Sequence, residues 1–506
     1  MAVRTALGAA RPRLVRQLLT ESVVLSLLGA GFGLLLAVWG VEILVGMQPQ
    51  GIPRLDDVRV DRVVIVFTMS LAMLTGIVFG LFPAIQSTRG LAAGSLKDAG
   101  RGSLTSRSGS RMRSALVVAE MALAVMLLAG AGLLIRSFTR LASVDPGFRI
   151  GPALTFELSL PDSRYEKEPQ QIAFFDQLLP RLRGIPGVQA AGAVISLPLS
   201  GSNLVLSFEV AGRPPVPPAQ QPAMQVRIAT PEYFSTIGIP LRRGRTFDER
   251  DRAGSTPVVL LTEAAVKQYF PNEDPIGKKI TLGWGRGPGT PRAGGEVVGI
   301  IGDVKDAGLD EADPPQIYLP YRQWPVQGMA VVLKTAVPPG TVASAARREV
   351  YAVDPSLPVA NVRTLDQVVA RAISQPRFYM TVLTVFAVIA LVLAAIGIFG
   401  VLSYAVAQRT REIGIRMALG ARERAVVGLI VRHAMTLAAS GVAVGMLAAW
   451  LLSKSMMSGL LFSTNPRDAL TFGTVALTLA VVALLAAYVP ARRATRVDPI
   501  VALRAE

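Results

Sequence analysis

The stretch Arg411–Ala421, which reads REIGIRMALGA, decides how the rest of this chain is organised. One long apolar segment precedes it and another follows it, so we predict that it lies at a membrane surface rather than inside the bilayer. Glu412 and Arg416 are four residues apart, the spacing that favours an ion pair on one helical face. Gly420 can supply the left-handed conformation that ends a helix. The pattern predicts a helix, a sharp turn and a second helix, which together form a compact charged element at the membrane face.

A partial copy of this stretch opens the chain. Residues 1–9 read MAVRTALGA, and Arg4 aligns with Arg416 while Gly8 aligns with Gly420. The likeness continues through the two apolar segments that follow each copy. An internal repeat changes the fold that a sequence predicts. Each unit here predicts a charged turn, two membrane helices and a basic tail.

The composition is that of a membrane protein. The chain has 506 residues, of which 51% are hydrophobic, and a formal net charge of +17. The arginines flank apolar runs instead of forming one basic stripe, which argues against a nucleic-acid partner and indicates membrane topology. Cysteine is absent and histidine occurs once, at His433, so disulfides, thiolate metal sites and histidine-based metal clusters are excluded.

Six apolar segments are long enough to cross a bilayer. The short loops that are rich in Lys and Arg all fall on one side of these spans, and the positive-inside rule places that side in the cytoplasm. We therefore expect a multi-pass protein of the inner (cytoplasmic) membrane with both termini and both charged turns in the cytoplasm. The segments are approximately 19–45, 63–83, 116–134, 378–405, 426–452 and 469–489.

The one large polar region, residues 136–375, is then expected outside the cytoplasm. It begins and ends with strand–helix–strand patterns, and its middle contains short β-type runs between Gly and Pro residues. Residues 100–113 are rich in Gly, Ser and Arg and predict a flexible cytoplasmic linker. The strands are predicted at 154–160, 188–195, 258–261, 297–301, 329–333 and 359–362, and the helices at 170–182 and 342–351.

The string in Arg411–Ala421 closely resembles the cytoplasmic coupling segment of MacB/FtsX-like permeases of ABC transporters. The phrases PNEDPIGK, residues 271–278, and VVGIIGDV, residues 297–304, resemble the MacB-type periplasmic core domain. The resemblance spans nearly the whole chain. Within this family, the chain is most similar to the duplicated orphan permeases, which are built from two fused permease halves. It implies a transmembrane α-helical bundle with six spans plus an extracytoplasmic α+β domain of MacB periplasmic-core type. The implied parts are a partial coupling turn (1–18), a first FtsX-like unit of two spans (19–99), the linker (100–113), a membrane helix that opens the second half (114–135), the core domain (136–375), and a second FtsX-like unit of three spans (376–506) with its coupling turn at 409–425.

The resemblance also implies the residues that contact a partner ATPase. In the full motif these are Glu412, Gly414, Arg416 and Gly420, and in the partial copy they are Arg4 and Gly8. Each half of a duplicated permease should begin with its own helix and external domain, and the position of Glu412 in the first copy falls before residue 1. Either the start is truncated or another chain supplies the missing part.

Other candidate sites are weaker. The Gly277-Lys278 pair lacks the remaining residues of a phosphate-binding loop, so we expect this chain to bind no cofactor itself and to use ATP through a partner subunit. Residues in or beside membrane segments that carry ionisable side chains are often functional, and Glu21, Glu120 and His433 are the candidates here. Glu21 and His433 are equivalent in the two repeats and lie near helix ends, which favours an interfacial or packing role over a proton relay, and Glu120 could pair with an arginine.

The sequence offers no catalytic constellation, so an enzyme is not expected. The expected function is a permease subunit that transmits ATP-driven motion from a separate cytoplasmic ABC ATPase to the external domain, for export or extraction of a hydrophobic, lipid-linked or peptide cargo. The alternatives are an FtsX-like device that regulates an external enzyme and a proton-coupled secondary transporter. Expected partners, besides the ATPase and membrane lipid, are a second permease chain or the missing first-half segment, and a periplasmic adaptor.

Overall fold

The computed structural model describes residues 11–46, 58–89, 104–149, 151–201, 204–214, 216–285, 292–306, 308–408, 422–456 and 461–495. The chain divides into two compact units. The first, which we call the helical unit, comprises Met1–Thr139 and Gln375–Glu506. The second, which we call the β-rich domain, comprises Arg140–Ser374.

The described elements alternate between long helices at both ends of the chain and a mixed central region. In chain order they are α1 (Arg11–Gly46), α2 (Arg62–Arg89), α3 (Leu104–Ala142), β1 (Ala153–Ser159), α4 (Asp162–Tyr165), α5 (Glu168–Arg183), β2 (Val188–Val194), β3 (Val205–Val210), β4 (Ala223–Ala229), α6 (Tyr233–Ile237), β5 (Leu241–Gly244), β6 (Val258–Thr262), α7 (Glu263–Tyr269), β7 (Lys279–Gly285), β8 (Arg292–Ile301), β9 (Gln316–Pro320), β10 (Gly328–Thr335), α8 (Pro339–Val353), β11 (Ala360–Thr364), α9 (Leu365–Ala372), α10 (Ser374–Gln408), α11 (Glu423–Met456) and α12 (Ala469–Thr495).

Five helices of the described residues are long and apolar enough to cross a membrane. They correspond to five of the six predicted spans. The remaining one, predicted at 63–83, lies in α2, whose apolar stretch Arg62–Val78 is shorter. The five spans are Leu19–Gly46, Met112–Ala142, Ser374–Ala407, Glu423–Leu452 and Ala469–Arg493.

The linker predicted at 100–113 needs a correction, because α3 already begins at Leu104. Gly and Ser have low helix propensity, which is why the segment resembles a flexible connection. Extending an existing helix adds one hydrogen bond for each residue that is ordered, without a new nucleation cost. The long apolar part of α3 therefore carries the helix backward through these polar residues.

Four helices of the helical unit, α3, α10, α11 and α12, share one buried apolar cluster. Alanine and other small or medium side chains dominate it, which lets the helix axes come close together. The members on α3 are Val117, Met121, Ala124 and Val125, those on α10 are Ala394, Ile398 and Leu402, those on α11 are Val426, Ile430, Ala434 and Ala438, and those on α12 are Val475, Leu479, Ala483, Ala487 and Ala491.

In the β-rich domain the two predicted strand–helix–strand pieces are confirmed, and they interleave. The strand order at one end of the sheet is β11–β1–β10–β2, and every neighbouring pair in it is antiparallel. Strands β1 and β2 of the first piece are therefore parallel to each other and separated by β10 of the second. This is the split βαβ arrangement of ferredoxin-like folds. Helices α5 and α8 cover the sheet with buried residues that include Phe175, Leu178 and Val350.

The middle of the domain forms a closed ring of six strands. From β4 the pairing runs through β3, β7, β8, β6 and β9, and β9 then pairs in parallel with β4 again. Gly294 on β8 has φ of +134°, in the left-handed region that favours glycine. Closure leaves these six strands without a free edge inside the ring. Strand β5 also pairs with β8, in the antiparallel direction.

Candidate coupling and membrane sites

The coupling residues fall outside the described part of the chain. Helix α10 ends at Gln408 and α11 begins at Glu423, and the predicted coupling residues lie in the sequence between these two helices. The predicted ATPase contacts of this turn and of its partial copy therefore stay predictions. They are Glu412, Gly414, Arg416 and Gly420 in residues 409–421, and Arg4 and Gly8 in residues 1–10.

Helices α3 and α10 pack side by side and antiparallel. The Arg113 guanidinium stacks over the ring of Tyr404, 3.8 Å from its centroid. Two turns further along both helices, the Glu120 carboxylate lies against Gly397, where a Cβ would clash with it. Within the described residues no ion pair of Glu120 is found, so the expected arginine partner is absent there. A glycine on α10 provides the space that the half-buried Glu120 side chain occupies.

Helix α11 crosses α3 at a glycine pair. Gly441 and Gly445 are four residues apart and face α3, which runs parallel to α11 at this point. A Cβ on Gly441 would lie 2.5 Å from the Cβ of Met121, and one on Gly445 would lie 2.7 Å from both the carbonyl oxygen of Ala122 and the Cβ of Val125. Small residues at this spacing let membrane helices approach until their backbones touch. The contact requires glycine at both positions.

Helix α12 is joined to the opposite end of α3 by polar groups. Asp468, just before α12, accepts hydrogen bonds from the backbone N–H and the hydroxyl of Thr471, at 2.9 and 2.6 Å, and forms an ion pair with Arg136 of α3. The hydroxyl of Ser137 accepts a hydrogen bond of 2.8 Å from the backbone N–H of Phe462. The Asp468 carboxylate thus caps the first turn of α12 and attaches it to α3. Helix α3 contacts all three other helices of the cluster.

The remaining ionisable candidates, Glu21 and His433, lie on exposed faces of α1 and α11. In the part of the chain that the structure describes, no hydrogen bond or ion pair joins either side chain to the other or to Glu120. A proton relay requires such groups to face one another at similar depth. The roles of Glu21, Glu120 and His433 therefore stay predictions.

A buried ion pair inside the β-rich domain escaped the sequence reasoning. Arg227 on β4 pairs with Asp306 in the loop after β8, and their side chains are 3% and 1% exposed. Arg227 also donates a hydrogen bond of 2.6 Å to the hydroxyl of Ser196. Burial raises the pKa of Asp306 above its ordinary value, while the Arg227 charge acts in the opposite direction. The pair fixes the β8–β9 loop to the ring of strands.

The same loop is attached to the segment that follows α3. The backbone N–H of Lys305 donates a hydrogen bond of 3.0 Å to the carbonyl of Pro146, and Gly147, with φ of +82°, packs against the carbonyl of Asp303. A side chain at position 147 would meet backbone there, so glycine is required. The segment that follows α3 therefore contacts the loop that carries Asp306, through Pro146 and Gly147.

Two family models match this chain. The MacB-like periplasmic core domain model matches residues 114–349, and the FtsX-like permease C-terminal model matches residues 384–499. Among curated relatives, the macrolide export ATP-binding/permease protein MacB of Shewanella sp. (strain W3-18-1) is 25% identical over 292 residues, covering 54% of this chain and 42% of the relative. MacB of Escherichia coli (strain K12) is 28% identical over 291 residues, again covering 54% of this chain and 42% of the relative. The chain spans less than half the length of these curated relatives.

The chain is also similar in part to solved structures. The periplasmic region of MacB from Actinobacillus actinomycetemcomitans has a TM-score of 0.29 and 16% identity, covering 44% of this chain and 94% of that one. The extracellular domain of the noncanonic ABC-type transporter YknZ from Gram-positive bacteria has a TM-score of 0.27 and 15% identity, covering 41% of this chain and 100% of that one. With the two family models matched in succession along the sequence, the chain is a MacB/FtsX-like ABC permease, a membrane protein of apolar helices with an extracellular MacB-like core domain.

Proposed function

We propose that this chain is a permease subunit that transmits ATP-driven motion from a separate cytoplasmic ATPase to its β-rich domain. The order of the matched families along the sequence carries the proposal. The core-domain match is followed by the permease match, and the charged turn between α10 and α11 lies inside the latter. A force on that turn acts directly on two membrane helices.

The packing of the helical unit supports transmission through α3. Because α3 contacts α10, α11 and α12, a displacement of α10 relative to α11 changes the surroundings of α3 on every side. The close backbone contact at Gly445 makes that interface sensitive to shifts of about 1 Å, since packed interfaces have discrete arrangements and do not deform continuously. The sequence continues from α3 directly into the β-rich domain and from that domain directly into α10.

The nucleotide is proposed to act through another subunit. The two matched models describe a periplasmic core domain and a permease domain, and neither is an ATP-binding domain. The curated relatives are named macrolide export ATP-binding/permease proteins. We extend to this chain a cargo of related chemistry, which is a hydrophobic, lipid-linked or peptide molecule met outside the inner membrane. The termini are proposed to lie in the cytoplasm.

The test is a purification in mild detergent followed by identification of the co-purifying ATPase and measurement of its activity. We expect Arg416→Glu to abolish stimulation of the ATPase while membrane insertion is retained, because a reversed charge meets the complementary surface of the partner. Arg4→Glu should weaken stimulation less, since the partial copy lacks an acidic residue to pair with Arg4. Arg493→Glu, the same charge change on the exposed last turn of α12 and outside the coupling turn, is the matched control and should leave stimulation intact.

Two outcomes would contradict the proposal. If the chain purifies without an ATPase and itself binds nucleotide, the proposal that a separate subunit uses the ATP is refuted. A loss of stimulation in Arg493→Glu equal to that in Arg416→Glu would show a general effect of charge rather than a coupling contact.

A further inference from the structure

The segment that follows α3 is held by the β-rich domain before the chain reaches β1. We call it the entry segment, Ser143–Arg149. The backbone N–H of Arg149 donates a hydrogen bond of 3.0 Å to the carbonyl of Ile237, the last residue of α6. Phe148 is buried. The entry segment is therefore a docked part of the domain, and a displacement of it must break contacts with the neighbouring elements.

The residues that follow β8 lie between the entry segment and the ring of strands. We call them the strap, Gly302–Asp306. On one side, a Cβ on Gly147 would overlap the carbonyl oxygen of Asp303. On the other side, the carbonyl of Val304 accepts a hydrogen bond of 3.3 Å from the side-chain amide of Gln316 on β9. The strap thus has the entry segment on one face and the ring on the other.

The strap ends at the buried ion pair. Asp306 pairs with Arg227 of β4, and Arg227 also donates a hydrogen bond to Ser196, two residues after β2. Among the described residues, no hydrogen bond reaches the second carboxylate oxygen of Asp306, Oδ2. A buried ion pair fixes geometry but adds little net stability, because the loss of hydration offsets the attraction of the charges. Such a pair is suited to hold two elements together and to release them.

We propose that the strap is a conformational latch that couples the entry segment to Arg227. While the entry segment is docked, its backbone holds the strap on the ring and the Arg227–Asp306 pair is closed. When the entry segment is displaced, the strap leaves the ring and the pair opens. A role of the latch in transmission rests on the proposed function. The latch itself is tested on the chain alone, so that the two can fail separately.

The accessibility of a buried thiol measures the opening of the strap. Because the chain has no cysteine, Val304→Cys introduces a single thiol at a strap position that is 2% exposed. The full chain in dodecylmaltoside micelles is mixed with dithiobis(nitrobenzoate), and the released thionitrobenzoate gives the reaction rate. Val226→Cys, at a buried position of β4 in the main core of the domain, reports opening of the ring itself. The ratio of the two rates separates local opening of the strap from unfolding of the domain.

Gly147→Ala disturbs the entry segment without altering the ion pair. Its Cβ would overlap the carbonyl oxygen of Asp303, and its φ of +82° is unfavourable for alanine. We expect the thiol at position 304 to react at least about tenfold faster in this variant, and the thiol at position 226 to keep its rate. Gly151→Ala is the matched control, because a Cβ there meets no atom within 4 Å among the described residues. It should leave both rates unchanged.

Asp306→Asn opens the latch from its other end. Removal of the carboxylate charge leaves the strap without its partner on β4, so the thiol at position 304 should again react faster relative to the thiol at position 226. Asp251→Asn is the matched control for this variant. Asp251 is also buried and pairs with Arg245 in the loop after β5, away from the strap in sequence. It should leave the ratio of the two rates unchanged.

Three results would overturn the latch. The first is an unchanged rate at position 304 in Gly147→Ala, since the entry segment then does not hold the strap. The second is equal acceleration at positions 304 and 226, since the whole ring then loosens. The third is a ratio that rises as much in Asp251→Asn as in Asp306→Asn, since any lost ion pair would then open the strap. Selective acceleration in Gly147→Ala and Asp306→Asn supports the latch.

Discussion

Replacement of Gly445 by alanine should loosen the contact between α11 and α3. The added Cβ would lie 2.7 Å from the carbonyl oxygen of Ala122 and from the Cβ of Val125, and 2.8 Å from the Cα of Ala122. Two of these three atoms belong to the backbone and cannot rotate away. Since carbon atoms pack at about 3.5–4.0 Å, the two helices must separate by about 1 Å at their crossing.

Two opposing terms determine the size of the effect. Overpacking of a close interface costs about 1–3 kcal/mol. Alanine in place of glycine in a helix interior contributes about 1 kcal/mol in the favourable direction. We expect Gly445→Ala to lower the free energy of unfolding of the helical unit by up to about 2 kcal/mol.

The measurement is unfolding of the full chain in mixed dodecylmaltoside and SDS micelles, followed by far-UV circular dichroism. Gly428→Ala on the same helix is the matched control, because a Cβ there meets no atom within 4 Å among the described residues. Gly428→Ala changes only the helix propensity at its position, so it should be neutral or stabilising. The difference in unfolding free energy between the two variants then measures the cost of crowding the contact between α11 and α3.

Equal unfolding midpoints for Gly445→Ala and Gly428→Ala would refute the reasoning. The contact at Gly445 would then be loose enough to accept a methyl group, and α3 would not be held against α11 by backbone proximity. A larger destabilisation with Gly428→Ala would refute it as well.

Three further predictions concern the β-rich domain and the topology. Burial acts to raise the pKa of Asp354, but the hydrogen bonds that it accepts from Ser356 and Tyr165 and the nearby Arg164 charge outweigh this effect, so the pKa lies below its ordinary value of 3.8. The stability that the carboxylate contributes is present above the pKa of the unfolded chain and is lost as pH falls through the lower folded value, so the difference in thermal stability between wild type and Asp354→Asn at pH 7 should shrink as the pH is lowered below the ordinary pKa. Asp306→Asn leaves the buried Arg227 charge uncompensated and should cost about 3–5 kcal/mol in thermal unfolding monitored by tryptophan fluorescence, and the double variant with Arg227→Met and Asp306→Leu should recover most of it. In intact cells an impermeant thiol reagent should label Gly201→Cys and spare Arg107→Cys, and labelling at position 107 would invert the proposed topology.

Most individual elements of the β-rich domain could be predicted from local sequence. Alternation over 154–160 and helical spacing over 170–182 are properties of consecutive residues, and they correspond to β1 and α5. Pairing is a property of distant residues. The insertion of β10 between β1 and β2 and the parallel pairing of β9 with β4 had no signal in a single sequence. The separate elements were therefore predicted, and their interleaving was not.

The contacts between membrane helices were harder to predict for a related reason. Helices that are apolar on all sides show no periodicity that distinguishes the face toward lipid from the face toward a neighbour. The glycine pair Gly441 and Gly445 is recognisable in the sequence, but only the position of α3 shows what it contacts. Asp468 was predictable, since an aspartate three residues before Thr471 at the start of an apolar run is a helix-capping pattern. The buried pair of Arg227 and Asp306 was not, because its members lie on different elements.

The interleaved sheet also determines how the β-rich domain could be lost or gained in evolution. Its first strand and its last strand are neighbours, with Leu154 opposite Thr364, so the chain enters and leaves the sheet at points only about 5 Å apart. A domain with adjacent ends can be inserted into a short loop, or excised from it, without pulling the flanking segments apart. Helices α3 and α10, which flank it in sequence, pack against each other through Arg113 and Tyr404 and through Glu120 and Gly397. The β-rich domain thus has the form of an insertion into the sequence of the helical unit, between two helices that pack against each other without it.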